Sequence, residues 1–127
     1  MNIGSNLDAV IPDPKRQDTV ALAFEPIVGC HIEKHPFLHV IHAAVGIESS
    51  LSVMGLYNNN AESSSLNKPA YTDFWNNGKR RAAIVPVIPF KILIDAIPNN
   101  VTIHYVKTDM QGFDYAALKS LGKERIR

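Results

Sequence analysis

Apolar residues in this chain arrive in short runs, each halted before it could make a long amphipathic helix. Residues 19–24 (TVALAF) stop at Glu25-Pro26, residues 38–45 (LHVIHAAV) at Gly46, and residues 101–108 (VTIHYVKT) run into Asp109. Short runs rich in β-formers and bounded by such residues read as buried strands. Between them lie helical stretches. Pro26 suits the first turn of a helix over about 27–34, which His35-Pro36 breaks. A short helix over about 90–97 ends before Pro98. In 113–121, Phe113, Ala116, Ala117, Leu118 and Leu121 recur at helical spacing, and Gly122 is placed to terminate them. Residues 51–57 form a weaker strand. Residues 84–88 carry Pro86 and precede Pro89, which predicts an edge strand or extended connection rather than a central strand. The Asn- and Ser-rich stretch from Asn58 to Gly78 is expected to be loop, with Asn77-Gly78 as a turn. Buried strands alternating with helices predict an α/β fold with a mostly parallel sheet.

At 127 residues the chain is expected to be a single domain. A hydrophobic share of 46% and a charged share of 20% belong to ordinary globular chains, which excludes disorder and collagen-like structure. The 13 basic against 12 acidic side chains give a net charge of +1 with no long block of one sign, so neither nucleic acid nor anionic lipid is an expected partner. No repeat is found. Cys30 is the single cysteine and cannot form an internal disulfide. With no signal-like N-terminus and no apolar run of about 18 residues, no membrane association is expected and the expected location is cytoplasmic. Asn100-Val101-Thr102 spells a glycosylation acceptor, a chance match in that setting.

In parallel α/β sheets ligands bind at the carboxyl ends of the strands. At the first such end, Gly4 permits a close backbone turn, beside Asn6; a plain turn explains it equally. Glu25 follows Gly4 by 21 residues, at the tip of the next strand. An acid about 20 residues beyond a glycine turn is the arrangement that accepts hydrogen bonds from ribose hydroxyls. The alternative is a solvated carboxylate favoured at a helix start. Ala43 and Ala44 leave room for a flat base, or simply pack. At the last strand end, Asp109, Gln111 and Asp114 gather around Gly112. An acid there could orient or deprotonate a substrate hydroxyl; equally, Asp114 could cap the helix and Asp109 pair with Lys107.

Two other groups of residues carry competing readings. Cys30, His31, His35, His39 and His42 invite a metal reading, but Pro36 breaks their register and His39 and His42 fall on opposite faces of one strand, so no metal is expected. Lys79-Arg80-Arg81 beside Tyr71, Phe74 and Trp75 could clamp a nucleic acid or an anionic sugar; a solvated loop is the favoured alternative.

At these residues the sequence resembles the FkbM family of S-adenosylmethionine-dependent methyltransferases. KTDMQGFDYAALKSLG at 107–122 looks like the family's Lys-x-Asp-x-Glu-Gly-x-Glu turn with its following helix, and ALAFEP at 21–26 like its strand ending in Phe-Glu-Pro. HVIHAAVG at 39–46 is similar to its Ala-Ala-Val-Gly strand, SSSL at 63–66 and VPVIPFKILIDAIP at 85–98 to its connecting segment, and NIGSNL at 2–7 to the end of its Asp-x-Gly-x-Asn cofactor loop. The resemblance covers nearly the whole chain. It implies a class I methyltransferase, Rossmann-like fold, truncated at both ends, in one partial domain over 1–127. It further implies S-adenosylmethionine bound across Gly4, Asn6, Glu25, Ala43, Ala44 and Asp109, with Glu25 on the ribose. Asp109 and Gln111 would stand at the reacting centre, facing the transferred methyl group and a hydroxyl of a small molecule or glycan. Departures from the family pattern are Asn2 for its first-loop Asp, Asp8 for a later Gly, and Gln111 for the middle Glu of the signature; Gln111 cannot act as a base. Pro12 and Pro14 interrupt the helix expected after the first loop. Strands missing from the family pattern leave open sheet edges, through which a homo-oligomer is expected. The competing expectation is a non-catalytic remnant of the fold, serving as a cofactor-binding or protein-interaction module.

Overall fold

A computed structural model describes residues 1–4, 9–27, 35–56, 66 and 81–122. In chain order the elements are β1 (Asn2–Ile3), β2 (Ala21–Phe24), β3 (Leu38–Ile41), β4 (Ala44–Gly46), β5 (Ser50–Leu56), β6 (Arg81–Pro89), α1 (Phe90–Asp95), β7 (Lys107–Thr108) and α2 (Asp114–Ser120). Four strands in the order β3-β2-β1-β7 make a wholly parallel sheet, and three in the order β4-β6-β5 make a second. In that second sheet β4 runs parallel to β6, and β5 antiparallel to it. The fold is therefore α/β with a parallel sheet, compatible with a Rossmann-like arrangement.

Three departures from the sequence expectations have local causes. The run 38–45 is not one strand: the Ala43 N–H donates to the Ile41 carbonyl at 2.9 Å, folding the chain tightly over His42 and delivering Ala44 to the other sheet. Nor is it uniformly buried, because β3 is the outer strand of the parallel sheet and exposes His39 and Val40. The proline-bearing run is neither an edge nor a connection but the nine-residue centre of the second sheet. Pro86 is tolerated there because β4 pairs only with Val87, Ile88 and Pro89, so on that flank the missing N–H forfeits no rung. The third run, 101–108, enters the sheet only at Lys107 and Thr108, where β1 supplies its two partners. The weaker strand and the two later helices form close to the expected bounds. The helix expected over 27–34 and the loop between β5 and β6 fall outside the described residues, apart from Ile27 and Leu66.

Packing joins the two sheets. Ile3, Phe24, Val45, Phe90 and Ala117 are buried together, with Leu93, Phe113 and Leu118 against them, so α1 and α2 share one core with β1, β2 and β4. Burying a side chain such as Phe24 or Phe90 contributes about 1.5–3 kcal/mol. A second cluster, Ala44, Met54, Val85 and Val87, lies on one face of the second sheet. The helix α2 ends on Gly122 at φ +73°, whose N–H returns to the Lys119 carbonyl at 3.2 Å. That left-handed closure is the usual reason for glycine after a helix.

Candidate functional site

Chain order reverses about β1: β2 and β3 lie on one side of it and β7 on the other. The crevice beyond the carboxyl ends of the central strands at such a reversal is where ligands bind in this architecture. Three predicted residues are brought to that edge, Gly4 after β1, Glu25 after β2 and Asp109 after β7.

Gly4 sits at φ +70°, and a Cβ built on it would stand 2.2 Å from the Asp109 carbonyl oxygen. Its N–H donates to the Phe24 carbonyl at 2.9 Å, while the Asp109 N–H donates to the Ile3 carbonyl at 2.9 Å. The absence of a side chain at Gly4 thus lets the turn after β7 close directly on the turn after β1. Sequence reasoning expected a close approach at this glycine; the partner in the structure is the chain's own backbone.

Glu25 is buried, with 5% of its surface exposed. Its Oε1 accepts the Ile27 N–H at 3.0 Å, holding the turn that leaves β2, and its own N–H donates to the Ile41 carbonyl at 3.0 Å. Its burial overturns the solvated carboxylate: Glu25 instead braces the turn that leaves β2, at the strand tip beside β1.

His42 is the neighbour that sequence reasoning missed. Its Nδ1 lies 3.1 Å from the Glu25 carbonyl, at the position the Phe24↔Ile41 register sets opposite Glu25. The parallel pairing of the two runs carries the signal, whereas the residue types alone suggest only a metal ligand at His42. Among the described residues no three His, Cys, Asp or Glu side chains converge as a metal site. Cys30 and His31 lie outside the described residues, as do Asn6, Tyr71, Phe74, Trp75 and the basic pair before Arg81.

The turn after β7 is self-braced. Gln111 adopts φ +51° and Gly112 φ +91°. The Gln111 amide donates from Nε2 to Asp109 Oδ1 at 3.1 Å, and Asp114 Oδ1 accepts the Met110 N–H at 3.0 Å. Asp114 thereby ties the first turn of α2 back to the loop, while Asp109 stays exposed at the sheet edge. A non-glycine residue in the left-handed region costs about 1 kcal/mol or more and tends to persist where its surroundings fix it.

Ala43 and Ala44 are both buried, and Ala44 packs with Met54, Val85 and Val87 in the second core. Asn2 is 1% exposed. Its Nδ2 donates to the Val10 carbonyl at 2.9 Å and its Oδ1 accepts the Val10 N–H at 2.7 Å, so the side chain grips the returning segment as a backbone rung would. A cavity of about 510 Å³ lies away from this edge, lined by Val20, Leu22, Leu93, Ile97, Ile103 and Tyr105 among others. None of the predicted site residues among those described lines it. Among the described residues no helix is long and apolar enough to cross a membrane.

No family model matches this sequence, and neither a curated protein nor a solved structure matches it.

Proposed function

We propose that this chain binds S-adenosylmethionine at the carboxyl edge of the parallel sheet and serves methyl transfer to a hydroxyl of a small molecule or glycan. The observation that carries the proposal is the Gly4–Asp109 closure, which sets the β1 and β7 turns together one strand away from buried Glu25. In this reading Glu25 accepts the ribose hydroxyls, sharing its carboxylate with the Ile27 N–H. Asp109 orients the acceptor hydroxyl, and the Gln111 amide holds Asp109 in place. The donor supplies an electrophilic methyl carbon, and transfer is an in-line displacement in which positioning matters more than a strong base.

The test is a calorimetric titration of the folded chain with S-adenosylmethionine, repeated with Glu25→Ala. Loss of a charge-assisted acceptor is expected to weaken binding by about 1–3 kcal/mol; unchanged affinity removes the ribose assignment, and no binding by a folded wild-type chain removes the donor. A second reading, donor binding without turnover, draws on the Gln111 amide standing where the resemblance has an acid. Saturable donor binding with no methyl transfer to any hydroxylated acceptor would select it.

A further inference from the structure

The structure assigns His42 the part of a positioning residue, an inference that rests on the proposed donor site: its ring supplies the ladder rung that the break in the run 38–45 removes, and thereby holds Glu25 at the sheet edge.

In a parallel ladder every second residue of a strand turns both its N–H and its C=O to the same neighbour, donating to the residue before its partner and accepting from the residue after it. On β2 these residues are Ala21, Ala23 and, one step past the strand, Glu25. Ala21 donates to the Phe37 carbonyl at 2.7 Å and Glu25 to the Ile41 carbonyl at 3.0 Å, so the phase set by Ala21↔Leu38 runs unbroken to Glu25. The partner of Glu25 in that phase is His42, and its carbonyl is due the Ala43 N–H. That donor is withdrawn. Ala43 turns back on the Ile41 carbonyl at 2.9 Å, in the tight fold that sends Ala44 to the second sheet. His42 Nδ1 stands in its place, 3.1 Å from the Glu25 carbonyl. A carbonyl oxygen only accepts, so the ring nitrogen facing it carries the proton.

The effect reaches the carboxylate through the backbone. Glu25 is followed by Pro26, which has no N–H and restricts the residue before it to extended conformations. With its peptide groups bonded to the β3 run through both the N–H and the C=O, Glu25 has a fixed Cα–Cβ direction, and its Oε1 accepts the Ile27 N–H at 3.0 Å. The fold thus breaks β3 one step beyond the candidate ribose acceptor and keeps that acceptor in place with a side chain. His42 is itself exposed, so its ring does not serve to fill a core. The requirement is specific in reach: Nδ1 is bonded to Cγ, a position that Asn Nδ2 reproduces and Gln Nε2 overshoots by one carbon.

The experiment is amide hydrogen exchange of the full chain at Ile27, whose N–H the Glu25 carboxylate protects, together with calorimetric titration of S-adenosylmethionine. His42→Ala and His42→Gln are expected to quicken exchange at Ile27 by about fivefold or more, the loss of one hydrogen bond, while His42→Asn stays within about twofold of wild type. In the Glu25→Ala background, where Ile27 has already lost its acceptor, His42→Ala is expected to add nothing. Donor affinity is expected to follow the same pattern: weaker by about fivefold or more in His42→Ala, restored in His42→Asn, and unaltered by His42→Ala once the Glu25 carboxylate is gone. A histidine that merely supports the fold would give additive losses and no rescue by Asn. Should His42→Ala fail to fold, the Asn and Gln variants decide. A folded wild-type chain that does not bind the donor removes the donor reading, and exchange at Ile27 then decides the positioning of Glu25 by itself. The assignment is overturned if exchange at Ile27 is unchanged in His42→Ala, if Gln restores it as well as Asn does, or if a chain that binds the donor keeps its wild-type affinity in His42→Ala.

Discussion

Gly4 is the residue on which the candidate site's shape depends. A methyl group there would stand 2.2 Å from a backbone oxygen, and the backbone is already at φ +70°. Neither can relax without moving β1 against β7. Gly4→Ala is therefore expected to destabilise the fold by about 2–4 kcal/mol, combining a left-handed penalty with a backbone clash; a denaturant midpoint equal to wild type would show that the two turns do not touch in solution. The sequence marked Gly4, Glu25 and Asp109 correctly as residues that finish at one sheet edge, because strand ends are legible from runs and their stops. It could not show that the ligand-like approach at Gly4 is to Asp109, since that contact joins positions 105 residues apart. His42 was obscured for a similar reason. Its role depends on pairing register, which hydrophobic pattern fixes only once both strands are known.

At the scale of elements, a side chain braces the turn between β7 and α2, beside the core contacts of Met110 and Phe113. Asp114 opens α2 and also receives the Met110 N–H. Asp114→Ala removes that acceptor and a negative charge from the helix start, with an expected loss of about 1–2 kcal/mol. Thermal unfolding measures it, and retention of full stability would mean that the turn is fixed by Gly4 and Asp109 alone. Strand existence was read well from sequence, and strand partnership less well. β6 was expected at an edge because proline usually sits there, yet its exemption depends on where β4 begins, a fact held in another segment. The run 38–45 looked continuous because His42 and Ala43 do not announce a break; the fold breaks it to feed two sheets.

For the whole molecule, the second sheet presents an apolar face to solvent. Val53 and Ile84 are direct cross-strand partners and are 67% and 74% exposed, with Leu51 beside them opposite Pro86. Such a patch on an open sheet face invites association. Val53→Lys combined with Ile84→Lys is expected to raise the concentration at which light scattering first appears while moving the unfolding free energy by less than about 1 kcal/mol. A large loss of stability instead would place these side chains in a core. The parallel sheet has its own whole-molecule dependence, in the Asn2 grip on Val10. An amide offers one donor and one acceptor, matching a peptide group; an ionised carboxylate offers two acceptors and would face the Val10 carbonyl with like charge. Asn2→Asp can hold the segment only while protonated, so its folded-state pKa must rise above the unfolded value of about 3.9. By the sign of that shift, stability is complete below the unfolded pKa and drains away as pH climbs through the folded one. One atom exchanged at the head of the sheet would turn a fold indifferent to acidity there into one that assembles in acid and loosens at neutrality.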